Sequence, residues 1–171
     1  MLLDDDEWNA CFDDFKRSAF RMELQQTYTI PRHQPDFDRF RRGEPKPDNH
    51  NSKWQEEVRA WAAEGKRLQR AKVVRRPFGE YMRYLLSWAV PGNVEAGEDY
   101  RIIDDTDKSL EVPDQDFWMF DEEKVVHLNF RPDGTLISHE LIENPDIERY
   151  LQWRDIALAK GVPFQDWDAG A

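Results

Sequence analysis

The chain has 171 residues, enough for one domain with its own core and too few for two comfortable ones. It carries 24 Lys and Arg against 35 Asp and Glu, a formal charge of −11, which disfavours generic attraction of the whole molecule to phosphate backbones or anionic membranes. Aromatic residues make up 13% of the chain, too many for a disordered acidic polymer, so a packed core is expected.

The start MLLDDDEW lacks the basic-then-apolar order of a signal peptide, and Cys11 as the single cysteine excludes an internal disulfide. No apolar run approaches the ~18 residues of a membrane span. A cytoplasmic location with no membrane attachment is therefore expected. Trp8, Cys11, Phe12, Phe15 and Ala19 follow the spacing of one buried helix face. The period then changes to two in SAFRMEL, where Phe20, Met22 and Leu24 alternate with Arg21 and Glu23, a strand that runs toward Tyr28 and Ile30 before Pro31. Residues 31–51 read as a long loop with one helical turn near Phe37 and Phe40, because GEPKPDNHN collects prolines and turn formers. At that length a lid or a packed excursion over the core is expected rather than a free tether.

Ser52 is read as the N-cap of a second helix with Trp54, Val58, Trp61 and Ala62 on one face, stopped at Gly65. RLQRAKVVR then reads as a strand ending before Pro77. A helical stripe of Phe78, Tyr81, Met82, Leu85, Leu86 and Ala89 follows, which Pro91-Gly92-Asn93 is expected to break. AGEDYRII returns to an extended segment, DFWMF and KVVHLNF are strands, and RPDG turns the chain into TLISHELIE. A final helix is expected over 146–160. The predicted fold class is α+β: one domain over residues 1–171, a mostly antiparallel sheet of about five strands, and three to four helices against one face.

The segments FKRSAFRMELQQTY, RRPFGEYMRY, AGEDYR and DFWMFD, in this order and spacing, carry a resemblance over nearly the whole chain. The chain resembles a family of uncharacterised actinobacterial proteins, domain of unknown function 6879, whose members are often encoded beside helix-turn-helix regulators. The resemblance implies no settled activity. It singles out Arg21, Glu23, Arg70, Tyr81, Arg83, Glu98, Asp99, Arg101, Asp116 and Asp121, to which Trp118 of DFWMFD is added as a candidate ligand-binding residue.

Arg21 and Glu23 share one side of a strand, which either faces water or lines a cleft beneath the long loop. The cationic run from Lys66 to Arg76 has no glycine-rich phosphate loop beside it, so pairing of its arginines with Glu98 and Asp99 is the economical reading, in a charged network or at a pocket rim. His127 and His139 lie on two arms of a hairpin, and register decides whether they face each other; a metal site is not expected. His33 and His50 are read as solvent-facing loop residues. No nucleophile elbow, cofactor motif or metal spacing is present, and no cofactor is expected. Two functions remain open. One is a non-enzymatic regulatory or interaction protein that binds a helix-turn-helix regulator, another protein or a small-molecule ligand, with nucleic acid disfavoured. The other is a small enzyme or ligand sensor with a mixed Arg/Glu/Asp/Tyr cleft.

Overall fold

The computed structural model describes residues 1–170. Strand β1 (Leu2–Leu3) leads into helix α1 (Asp5–Asp14), which opens on a reciprocal cap: Asp4 accepts from the Glu7 amide at 2.8 Å and Glu7 accepts from the Asp4 amide at 2.9 Å. Strand β2 (Ser18–Glu23) follows, then α2 (Gln34–Arg41) and α3 (Ser52–Ala63). The excursion expected to hold one helical turn therefore contains a two-turn helix, and the residue entering α3 is Asn51, in left-handed conformation, rather than Ser52. Strand β3 (Arg67–Val74) precedes a helix in three parts: α4 (Glu80–Tyr84), a π-helical turn (Leu85–Ala89) and α5 (Val90–Ala96).

Pro91 does not stop this helix. Proline has no N–H for the carbonyl four residues back and its ring crowds that carbonyl. The chain answers by widening the preceding turn, and the Val90 amide donates five residues back to Leu85. Strands β4 (Asp99–Asp104), β5 (Asp116–Phe120), β6 (Lys124–Phe130) and β7 (Leu136–Leu141), helix α6 (Ile147–Lys160) and the short β8 (Val162–Pro163) complete the domain.

The sheet is mixed and has eight strands, ordered β1-β7-β6-β5-β2-β3-β4-β8. The expected count of about five misses two-residue edge strands too short to carry a period. The α+β class holds. β2, β3 and β4 run parallel, and the other pairings are antiparallel. Parallel neighbours need long crossovers; α2 and α3 supply the first, and α4 to α5 the second. Helices cover both faces, not one. Phe20, Met22, Ala71, Val73 and Phe117 pack toward Tyr150 and Ala157 of α6. Ala19, Leu68, Trp118, Phe120 and Val126 face Cys11 of α1 and Val58 of α3. Each strand in the middle of the sheet therefore has two buried sides, and all six residues of β2 are buried.

Asp121 starts the turn between β5 and β6 at a positive φ of 54°. Its carboxylate accepts the backbone amides of Lys16, Arg17 and Ser18 at 2.8, 2.6 and 3.0 Å, tying the chain between α1 and β2 to the hairpin. Burial opposes its charge, but these three donors win and hold it below the usual carboxylate range. Asp121→Ala leaves three amides without an acceptor and is expected to cost about 3 kcal/mol in chemical denaturation; a change below ~0.5 kcal/mol would show that the turn holds itself.

A buried ion network as candidate functional site

The parallel register of β2 and β3 sets Arg21 beside Arg70 and Glu23 beside Lys72, all on one side of the sheet. β4 adds Tyr100 next to Arg70, and β5 adds Trp118 next to Arg21. The polar side of β2 is thus neither solvated nor an open cleft wall: it lies inside, under the helical layer. Side-chain alternation identifies two sides of a strand but not what covers each.

Glu23 sits at the centre. It takes Arg70 Nη1 on Oε2 at 2.7 Å and the Lys72 ammonium on Oε1. Lys72 is fully buried, and Glu23 is 5% exposed. Arg70 reaches the other way with Nε to Glu98 Oε1 at 2.5 Å. Trp54, Tyr100 and Trp118 surround its guanidinium carbon, with ring centres at 5.8, 5.3 and 5.5 Å. Arg21 Nη2 donates to Asp116 Oδ2 at 2.9 Å, and the same oxygen accepts the Tyr28 hydroxyl at 2.6 Å. Asp116 Oδ1 accepts the Leu24 amide at 3.0 Å. Burial alone would push the Glu23 carboxyl up, but Lys72, Arg70 and Arg21 outweigh it and hold it far below its usual range. Burial pushes Asp116 up more than Arg21 and the Tyr28 hydroxyl pull it down. The Tyr28 phenol is raised by burial, then by Glu23 and Asp116.

Of the residues singled out in the sequence, Arg21, Glu23, Arg70, Glu98, Asp116 and Trp118 come together. Tyr81 lies at the border, its hydroxyl 3.3 Å from His33 Nδ1 and its phenol raised by burial and then by Glu23. Four others do not join. Asp99 and Arg101 project from the opposite side of β4 and pair with each other at 3.1 Å in half-exposed positions, so Asp99 is not a partner of Arg70. Arg83 is exposed, and Asp121 is spent on the turn already described. Lys72 and Tyr28 were missed as site residues. The signal for Lys72 is its place between Ala71 and Val73 in an apolar run, where a lone charge demands a buried counter-ion.

His127 pairs with Glu140 while His139 pairs with Leu128, so the two project to opposite faces. His127 Nε2 meets the Tyr150 hydroxyl at 2.6 Å and His139 stacks on Trp8. No group of three or more metal-ligating side chains is assembled among the described residues. His50, expected in solvent, is buried and meets the Tyr84 hydroxyl at 2.8 Å.

Chemically the network is closed. Three cations, Arg21, Arg70 and Lys72, face three carboxylates, Glu23, Glu98 and Asp116, so no formal charge is left over to attract an ion. Two concave spaces lie elsewhere: one of about 370 Å³ bordered by Arg41, Arg42 and Glu80, another of about 300 Å³ bordered by Arg75, Lys108 and Leu110. The arrangement acts as a brace joining β2, β3 and β5 to the turn before β4.

The fold and site thus define an α+β domain with a charge-balanced ionic core. A family model described as Domain of unknown function (DUF6879) matches residues 6–169, and the chain belongs to that family. No curated protein matches the chain. No helix among the described residues is long and apolar enough to cross a membrane.

Arg70→Met leaves Glu98 buried without its cation and is expected to destabilise the fold by about 3–5 kcal/mol. With Glu98→Gln added, a double-mutant cycle should return a coupling of ~1–3 kcal/mol. Arg101→Met, at a half-exposed pair, should cost under about 1 kcal/mol. Additive effects at Arg70 and Glu98 would refute the brace. The lowered Glu23 group gives a second test with a definite sign. Its stabilisation is present above the unfolded carboxylate value of about 4.3 and is lost as pH falls below it. Glu23→Gln should therefore flatten the acid limb of a stability-versus-pH curve, and an unchanged limb would contradict the assignment.

Proposed function

We propose that the protein is a non-enzymatic regulatory or interaction protein that docks a basic protein partner on the sheet edge formed by β1 and β7. One observation carries this reading. Of the five large apolar side chains that are exposed among the described residues, Met1, Leu2, Leu136 and Ile137 lie on this one edge. β1 pairs with His139 and Glu140, so Leu136 and Ile137 lie past its C-terminal end, where the chain turns into α1. The segment 4–14 carries Asp4, Asp5, Asp6, Glu7, Asp13 and Asp14, all exposed, and no Lys or Arg. Leu136 and Ile137 alternate in side, so apolar groups flank both sides of this edge beside a purely acidic helix, which suits a partner surface with apolar and cationic groups.

The balanced core supports the same reading, because the conspicuous ionic residues neutralise one another rather than wait for substrate. The resemblance stated for the sequence, to proteins often encoded beside helix-turn-helix regulators, makes such a regulator, with its DNA-facing cationic surface, the partner we propose.

The test is association kinetics with a purified helix-turn-helix regulator. Screening shortens from about 30 Å at 0.01 M salt to about 8 Å at physiological ionic strength. The association rate is expected to fall at least about tenfold over that range. Asp5→Lys with Asp6→Lys should lower the rate, and Ile137→Asp should speed dissociation. A salt-independent rate, with all three substitutions silent, would remove this surface from consideration.

A further inference from the structure

Residues 31–51 follow the connection that leaves β2, carry α2 and lead into α3. Phe37 and Phe40 of α2 rest on the aromatic face of the helix below, with Phe37 5.3 Å from Tyr81 and Phe40 5.7 Å from Tyr84 and 5.6 Å from Trp88. At each end of the excursion a histidine meets a tyrosine of α4: His33 Nδ1 to the Tyr81 hydroxyl at 3.3 Å, and His50 Nε2 to the Tyr84 hydroxyl at 2.8 Å. We infer that residues 31–51 form a strap latched by these two neutral histidines, and that protonating them releases it from the Tyr81-Tyr84-Trp88 face. This inference is independent of the docking edge.

The chemistry at each latch favours the neutral ring. His50 is 7% exposed, and its Nδ1 is buried with no hydrogen-bond partner. With the proton on Nε2, donated toward Tyr84, Nδ1 is a bare lone pair. A second proton turns it into a buried N–H with no acceptor. The groups around His50 are Tyr84 and Trp88 from the helix below, Asp36 from α2, with Oδ2 3.9 Å from Nε2, and Lys46 of the strap. Burial outweighs the attraction of Asp36, Lys46 adds to it, and the ring is held below its usual value. His33 is faced by Tyr81 of α4, by Arg32, Asp36 and His50 of the strap, and by Glu23 of β2. Burial, then Arg32 and His50, outweigh the two carboxylates and lower His33 to about 4. The two rings also oppose each other's charge, so the first protonation makes the second harder inside the closed strap and both easier once it opens.

The sign follows from linkage. A histidine that is neutral when closed and ordinary when open stabilises the closed form above about 6.5, and that stabilisation drains as pH falls toward the closed-state value. Between pH 7 and 5.5 the open-to-closed ratio should rise about eightfold from His33 alone, and His50 acts in the same direction. The strap is also held by the Arg41–Glu80 pair at 2.8 Å and the Asn51–Asn93 hydrogen bond at 2.8 Å.

Hydrogen exchange of the whole chain, read by mass spectrometry and corrected for intrinsic rates, tests the inference directly. From pH 7 to 5.5 the amides of 31–51 should open at least about eightfold more often while those of β2 and β3 keep their protection. His33→Gln with His50→Gln should abolish the pH response of the strap. His127→Gln, which alters a histidine–tyrosine pair on the other sheet face, should leave it intact. Strap protection that is flat with pH in the wild-type chain overturns the inference, as does parallel loss in strap and sheet, or a full response in the double variant. If that variant does not fold, the wild-type comparison of strap with sheet decides alone.

Discussion

Glu23 is held by two cations of the neighbouring strand, Arg70 and Lys72, and the surrounding structure follows from the need to keep that carboxylate ionised away from water. An isolated buried charge is strongly unfavourable, and its pairing succeeds only when every remaining charge of the partners is met as well. Arg70 has donors to spare, and Glu98 takes one of them from the turn leading into β4. Arg21 brings a further positive charge to the same side, and Asp116 balances it from β5. Tyr28, between β2 and the strap, then closes on Asp116. One carboxylate thus draws three strands and two connections into a single arrangement.

Such a network adds little net stability compared with a well-packed apolar core, but it penalises alternatives heavily. A one-residue slip of β2 against β3 would turn Glu23 into the apolar layer under α6 and leave Lys72 with no anion. The ions therefore specify the register of the parallel pair, where two buried sides of similar hydrophobicity would otherwise leave it loosely determined.

The legible parts of this fold are those in which one chemistry acts over a short stretch. The α1 stripe of Trp8, Cys11 and Phe12, the RPDG turn and the boundaries of β3 and β5 follow from periodicity and turn residues alone, whereas Phe15 and Ala19, expected on the same helix face, lie past the end of α1 and in β2. The Arg70–Glu98 pairing was also readable, because arginines in an acidic chain seek carboxylates and GED stands at the start of the next strand. What stayed hidden depends on layers. The alternation in β2 marks two sides, yet only the tertiary arrangement shows helices over both, which is why Arg21 and Glu23 read equally well as solvated. His50 looked like a loop residue because its neighbours are turn formers; the aromatic face that buries it lies more than thirty residues away. The helix through Pro91 was misread because a local rule about proline was met by a local adjustment, the wider turn at 85–89.

The placement of β2 between β3 and β5 also bears on how the chain reaches this state. β5, β6 and β7 are joined by tight turns and can pair as soon as they are made, through contacts close in sequence. β2 is different: its partner on one side is 49 residues on, and on the other about a hundred, with Ala19 beside Phe120. Closing loops of that size costs chain entropy before any contact repays it. The C-terminal meander is thus the natural place for folding to begin. The long-range capture of β2, with its ions still wet until both neighbours arrive, is the step that sets the pace.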